Sequence, residues 1–117
     1  MIARNAMAPA KARAIAALMF VVAGGPALAG DVAAGRAKAL MCQACHGLDG
    51  QSKVPDAPNL AGQVEGYLAV QLGAFKAGAR KSEAMNVVAA SLSDADVADL
   101  AAYYAAIEIS VVKVPGR

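Results

Sequence analysis

The feature that most constrains this chain is a pentapeptide that holds both of its cysteines and its one histidine. It reads Cys42-Gln43-Ala44-Cys45-His46, which has the spacing C-x-x-C-H. In this pattern the two thiols add to the two vinyl groups on one edge of a porphyrin, and the histidine presents a ring nitrogen to the iron. The pentapeptide therefore predicts covalently attached haem c, with Cys42 and Cys45 as the attachment residues and His46 as an iron ligand.

Three other uses of paired cysteines fit the sequence less well. A structural zinc site needs four N or S ligands, and this chain offers only three, at crowded spacing. A thioredoxin-like dithiol expects a βαβ setting, whereas the flanking residues are rich in alanine and helical in pattern. A disulfide suits an exported protein, but it leaves the adjacent histidine unexplained. Haem attachment is the interpretation that uses all three side chains.

The start of the chain has the three parts of a secretory signal peptide. Basic residues come first, an apolar run covers residues 14–23, and an A-x-A pattern ends at Ala29. A membrane anchor is the alternative, but a spanning helix needs about 20 apolar residues. We therefore expect cleavage after Ala29, which makes residues 1–29 a leader and residues 30–117 one small domain that carries a single haem.

Cleavage would remove three of the 11 basic residues and none of the nine acidic ones. The remaining domain has no basic stripe with interleaved aromatic residues, so nucleic acid is excluded as a partner. Export together with haem attachment predicts a periplasmic protein that is not inserted in the membrane and is a monomer or weakly associating. With two Phe and no Trp in the whole chain, the domain has a thin core, and small domains of this kind often rely on a cofactor.

Helical periodicity and cap residues predict an all-α domain. They place helices over residues 32–40, from about Gln63 to Gly78 and from Ser93 onward, with a loop over 47–60 and a connecting segment over 79–92. The connecting segment is predicted to include a short helical turn after Met85. Asp31 and Ser93 are the predicted N-caps of the first and last helices. The buried face of the last helix is predicted to include Val97, Leu100, Tyr104 and Ile107.

The order of these segments resembles the class I cytochromes c. The run PNLAGQ over Pro58–Gln63 is similar to one half of the two-haem bacterial cytochrome c4, although this chain has one C-x-x-C-H motif and therefore one haem. The resemblance implies the small class I fold, in which the N- and C-terminal helices cross and the haem sits in a central slot. It places the crossing at Gly35, with Leu100 and Tyr103 packed against it.

The resemblance also implies roles around the haem. Pro58 matches the proline whose backbone carbonyl accepts the proton of the ligand histidine, which fixes the ring and raises its basicity. Leu60 matches a residue that lines the haem pocket. Tyr67, Gln71 and Arg80 lie where they could hydrogen-bond to the haem propionates or neutralise their charge.

Met85 is the predicted second axial ligand of the iron. Met41 directly precedes Cys42 and is therefore held at the attachment edge, whereas Met85 follows His46 by enough chain to return from the other side of the ring. The chain has no second histidine, and a lysine would be an unusual ligand at neutral pH. The predicted metal ligands are therefore His46 and Met85.

These residues predict an electron carrier rather than an enzyme. An iron with histidine and methionine ligands has both axial positions filled by protein, so it changes oxidation state without binding substrate. The donor and acceptor would be redox proteins that the sequence does not identify. Two alternatives remain open: a haem c protein with an open site for ligand binding or catalysis, and a cytochrome subunit docked on an oxidoreductase. The first depends on Met85 not binding the iron, and the second shares every site residue with the carrier.

Charge patterning suggests an orienting dipole. Basic residues occur together just before the methionine segment, and acidic residues occur together at the start of the last helix: Lys76, Arg80 and Lys81, then Asp94, Asp96 and Asp99. If the two clusters are separate in space, they would orient the approach of a charged partner.

Overall fold

The computed structural model describes residues 29–116, and the predicted leader lies outside this range apart from Ala29. Within it the chain has five α-helices, one 3-10 turn and no strand. The helices are α1 (Val32–Lys38), α2 (Gln43–His46), α3 (Glu65–Lys76), α4 (Glu83–Ala90) and α5 (Asp94–Ala105), and the 3-10 turn is Ala39–Met41. The all-α prediction is confirmed. None of these helices has the length and apolar character needed to cross a membrane.

The first and last helices cross at Gly35, as the resemblance implied. A Cβ added to Gly35 would overlap the carbonyl group of Asp99 and would lie 2.7 Å from the Cβ of Tyr103. The same holds just before α1, where a Cβ added to Gly30 would overlap the carbonyl group of Ala98. The two backbones are therefore in direct contact, an approach that requires glycine.

We predict that Gly35→Ala lowers the free energy of unfolding by about 1–3 kcal/mol, because a single methyl group overpacks this crossing. The matched control is Gly73→Ala in α3, where an added Cβ meets nothing within 4 Å. Replacing a glycine in a helix interior should stabilise the protein by about 0.5–1 kcal/mol. Chemical denaturation of the parent and both variants measures the difference. A Gly35→Ala variant as stable as the parent would show that the crossing has room for a side chain.

Both predicted N-caps are confirmed. Asp31 Oδ1 accepts a hydrogen bond from the Ala34 amide at 2.9 Å. Ser93 and Asp96 form a reciprocal capping box, with N–H to side-chain oxygen distances of 2.9 Å and 3.0 Å. The hydrogen bond from the Ser93 amide, together with the Lys38 ammonium 2.9 Å away, lowers the pKa of Asp96 to about 2. Lys38 therefore ties the end of α1 to the start of α5.

The segment predicted as a connection with a short turn after Met85 is in fact a two-turn helix, α4, so this prediction is wrong. The helix begins before Met85 because Ser82 Oγ accepts a hydrogen bond from the Met85 amide at 3.2 Å. The Asn86 side-chain amide then donates to the carbonyls of Phe75 at 2.7 Å and Arg80 at 2.8 Å. These polar contacts hold α4 against the end of α3, and the apolar spacing of so short a helix does not reveal them.

The helix that was predicted to start at about Gln63 is α3, which begins two residues later, at Glu65, and ends at Lys76. Gly78 follows in the left-handed region with φ +72°, which agrees with its predicted role as a stop. The core is small and rich in alanine, and its largest fully buried side chain is that of Leu100. Its buried members are Ala39, Leu68, Ala89, Leu92, Val97, Leu100, Ala101 and Tyr104. The thin core expected from the composition is therefore present in the described residues.

Candidate functional site

The pentapeptide is folded into a single helical turn. The helix α2 follows the 3-10 turn directly, and the His46 amide donates to the carbonyl of Cys42 at 2.9 Å. Cys42 is half-buried and Cys45 is exposed. Gly47 ends the turn with φ +73°, a conformation that favours glycine. Since residues three and four apart share one face of a helix, the two cysteines and the histidine lie on one side of this turn.

One hydrogen bond orients the ring of His46, which is only 8% exposed. Nδ1 lies 2.9 Å from the carbonyl oxygen of Pro58, the contact that the resemblance implied. A carbonyl oxygen can only accept, so Nδ1 carries the proton and donates it. In a neutral imidazole this arrangement leaves Nε2 as the nitrogen available to a metal, and the neutral imidazole is the form that binds metal.

Backbone hydrogen bonds fix the loop that carries Pro58. The Lys53 amide donates to the carbonyl of Cys45 at 2.8 Å, and the Leu60 amide donates to the carbonyl of Gly50 at the same distance. The first bond ties the start of the loop to α2, and the second closes the loop on itself. Together they hold the Pro58 carbonyl within reach of the histidine ring.

A cavity of about 350 Å³ opens beside the histidine. Its wall includes five of the six predicted site residues, namely Cys42, His46, Pro58, Leu60 and Met85. Cys45, the sixth, is exposed and lies outside this wall. Apolar side chains of α3 and α5 form much of the remaining surface, among them Leu68, Leu72, Phe75 and Leu100. The site is therefore a largely apolar slot that contains one imidazole and one thioether.

Met85 reaches this cavity from α4, a different element from the one that carries His46. It lies in the first turn of α4, and its side chain is half-buried. Met41 is 47% exposed and lines a separate groove between α1 and α5. The structure therefore brings Met85, and not Met41, to the slot that holds the histidine.

The polar residues predicted to meet the haem propionates also lie in the wall. Tyr67, Gln71 and Arg80 all line the cavity. Arg80 Nη1 donates to Gln71 Oε1 at 2.7 Å, and its guanidinium stacks 4.6 Å from the centroid of the Phe75 ring. These contacts hold an exposed guanidinium beside the slot, where it can form a charge-assisted hydrogen bond with a carboxylate.

Tyr104 is a cavity residue that the sequence identified only as part of a buried helix face. Its side chain is 3% exposed, lines the cavity and donates from the hydroxyl to the carbonyl of Gly47 at 3.1 Å. Burial raises the pKa of Tyr104, so its hydroxyl is protonated at neutral pH and can donate a hydrogen bond. The sequence shows only that a tyrosine occupies an apolar position of this helix. It does not show which group the Tyr104 hydroxyl contacts.

The basic and acidic clusters meet through one ion pair, so they are not separate in the way that the dipole hypothesis requires. Lys76 Nζ lies 2.8 Å from Asp94 Oδ1, and this hydrogen bond lowers the pKa of Asp94. The contact arises because α3 packs along α5, which brings the end of α3 to the start of α5. A dipole built on these two clusters is therefore not supported.

The side chains in and beside this slot suit haem c. Two cysteines lie on one helical turn, and an imidazole and a thioether line one apolar cavity. Histidine and methionine are the protein ligands of haem iron in cytochromes c, and an apolar wall accommodates a porphyrin. The chemistry of the residues present therefore fits a haem attached through the pentapeptide.

Comparison with known protein families gives the deciding observation. The family model described as Cytochrome c matches residues 32–106, which span all five helices and the cavity between them. The chain belongs to the cytochrome c family. The cofactor of this cytochrome c is haem c, and its one C-x-x-C-H motif corresponds to one covalently bound haem.

Three relatives show which cytochromes c it is similar to. The cytochrome c4 of Pseudomonas aeruginosa is 52% identical over 83 residues, which cover 71% of this chain and 41% of that protein. The cytochrome c-554(548) of Halomonas halodenitrificans is 48% identical over 83 residues, which cover 68% of this chain and 100% of that protein. The crystal structure of reduced recombinant cytochrome c4 from Pseudomonas stutzeri matches with a TM-score of 0.65 and 44% identity, covering 71% of this chain and 48% of that one.

The chain spans about half the length of the cytochromes c4 that it matches. With its one haem motif, it corresponds to one half of such a protein. The likeness to a solved cytochrome c4 also confirms the class I cytochrome c fold that the resemblance implied.

Proposed function

We propose that this cytochrome c is a one-electron carrier and not an enzyme, with His46 and Met85 as the two axial ligands of its iron. Cys42 and Cys45 would hold the haem through thioether bonds. Haem c supplies an iron that gains and loses a single electron. The observation that carries the proposal is that His46 and Met85 line the same cavity. Two protein ligands leave no axial position for a substrate, so the protein exchanges electrons with other redox proteins.

The other side chains of the site prepare it for this role. The hydrogen bond from His46 Nδ1 to Pro58 fixes the ring and makes Nε2 a stronger donor. Leu60 and the apolar side chains of α3 line the slot and would shield a bound haem from water. Arg80 with Gln71 provides hydrogen-bond donors for carboxylates.

The unmutated holoprotein should bind carbon monoxide poorly in its reduced state, because both axial positions are occupied. In its oxidised state it should show the near-infrared band of a methionine–ferric haem bond. Stopped-flow mixing with carbon monoxide and an absorption spectrum at neutral pH measure both. A sample unfolded in denaturant, which frees the methionine position, is the positive control for binding. Rapid binding by the folded protein would contradict the carrier and favour a haem protein with an open site for ligand binding or catalysis.

We also infer that the protein works in the periplasm after a leader is removed. Support comes from the sequence pattern of residues 1–29 and from Gly30, whose backbone packs directly on α5 at Ala98. Gly30, the residue that cleavage after Ala29 would make the first, is thus already part of the packed domain. The intact mass of the protein from the periplasmic fraction should correspond to residues 30–117 with one haem. A membrane-bound product that retains residues 1–29 would show an anchor instead.

A further inference from the structure

Tyr104 contacts both segments that meet at the histidine. Its hydroxyl donates to the carbonyl of Gly47, the residue that follows His46, at 3.1 Å. Its backbone carbonyl accepts a hydrogen bond from the amide of Gly62 at 3.0 Å, at the end of the loop that carries Pro58. One residue near the end of α5 therefore holds the segment that ends α2 and the segment that ends the proline loop.

Backbone hydrogen bonds from Lys53 to Cys45 and from Leu60 to Gly50 hold the loop from within, and Tyr104 adds a contact to each segment from α5. Gly47, Gly50 and Gly62 all have φ between +68° and +73°, and glycine is the residue with the greatest backbone freedom. The bond between His46 Nδ1 and the Pro58 carbonyl, 2.9 Å long, spans the gap between the two segments. Its length therefore depends on how firmly each segment is held.

We propose that Tyr104 is a positioning residue for His46: by fixing the Gly47 carbonyl, its hydroxyl keeps the imidazole against Pro58. This inference rests on the proposed function, in which His46 binds the iron. A strong bond at Nδ1 raises the basicity of Nε2, and that favours the oxidised iron. Loosening the bond should therefore raise the reduction potential of the protein.

Tyr103 is the matched control on the same helix. Its hydroxyl donates to the carbonyl of Leu48 at 2.6 Å, one residue further from His46, and its ring packs edge-on against that of Tyr104 with centroids 5.0 Å apart. Tyr103→Phe and Tyr104→Phe thus remove the same group from neighbouring residues. Only the second removes a bond to the residue adjacent to the histidine.

The test is the solvent exchange of the His46 Nδ1 proton, followed by NMR in the reduced, ¹⁵N-labelled holoprotein. Loss of one hydrogen bond should speed this exchange by about fivefold to tenfold in Tyr104→Phe. Exchange of the Leu100 amide, which reports on the core, should change much less. The reduction potential should rise in Tyr104→Phe and stay near the parent value in Tyr103→Phe. Incorporation of 4-aminophenylalanine at position 104 restores an N–H donor and should bring both readouts back toward the parent.

Several outcomes would overturn the proposal. One is equal acceleration of the His46 proton and the Leu100 amide, which would mean that the hydroxyl contributes only to global stability. Another is an equal rise in potential in the two variants. If Tyr104→Phe yields no holoprotein, the 4-aminophenylalanine variant is compared with the parent instead. Its N–H is a weaker donor than the hydroxyl, so the His46 Nδ1 proton must exchange faster than in the parent, and equal exchange would overturn the proposal. The spectrum of the parent is a separate test, because absence of the methionine–iron band would reject the proposed function without touching the measured exchange.

Discussion

Met85→Ala is expected to lower the reduction potential of the protein and to let its reduced form bind carbon monoxide rapidly. The thioether is the axial ligand that raises the potential, and removing it leaves one position of the iron open. Axial ligands set haem potentials over a range of about 0.8 V, so we expect a fall on the order of 0.1 V or more. The near-infrared band of the oxidised protein should vanish. Redox titration and stopped-flow mixing measure these changes.

Met41→Ala is the control for this experiment. Met41 is also a methionine in the described region, but it is exposed and faces the groove between α1 and α5. Its removal should leave the potential, the near-infrared band and the slow reaction with carbon monoxide unchanged. If Met85→Ala kept the band and Met41→Ala lost it, the assignment of the sixth ligand would be wrong.

The double variant Cys42→Ala, Cys45→Ala should yield little folded protein. The wall of the cavity contains Leu68, Leu72 and Phe75, and without a covalently held haem these side chains face an open slot. Domain stabilities are only about 5–15 kcal/mol, and a cofactor that binds the folded state alone adds directly to that stability. Since the core contributes few large side chains of its own, we expect loss of the greater part of the cooperative unfolding transition.

Circular dichroism during thermal unfolding measures this loss. Gln43→Ala is the control, because Gln43 lies between the two cysteines and is exposed. It should retain both the haem and the unfolding temperature of the parent. Cooperative unfolding of the haem-free double variant near the parent temperature would show that the polypeptide core is sufficient without its cofactor.

Local signals in the sequence predicted the parts of this molecule that depend on neighbouring residues. The C-x-x-C-H spacing, the capping residues Asp31 and Ser93, and the glycine at the helix crossing each follow from chemistry within a few positions or from the family resemblance. The cavity then brings His46 and Met85 together, two residues that the sequence had named separately as ligands.

Contacts between remote polar groups could not be predicted in the same way. The helix α4 depends on Asn86, which donates to the carbonyls of Phe75 and Arg80. The spacing of apolar residues along the sequence gives no indication of such bonds. The pairing of Lys76 with Asp94 depends on how α3 lies along α5. The position of Tyr104 on a buried face was predictable, but its bond to a backbone carbonyl was not, because every residue offers an equivalent carbonyl.

The packing of α1 against α5 also has a consequence for the order of events during folding. These helices lie at opposite ends of the domain sequence, and contacts between distant parts of a chain form slowly, since a large loop must be closed first. The turn that carries the two cysteines is local and needs no such closure. We therefore expect the cysteines to stay accessible until α5 docks on α1. That docking is then the step that encloses a haem already attached to the pentapeptide.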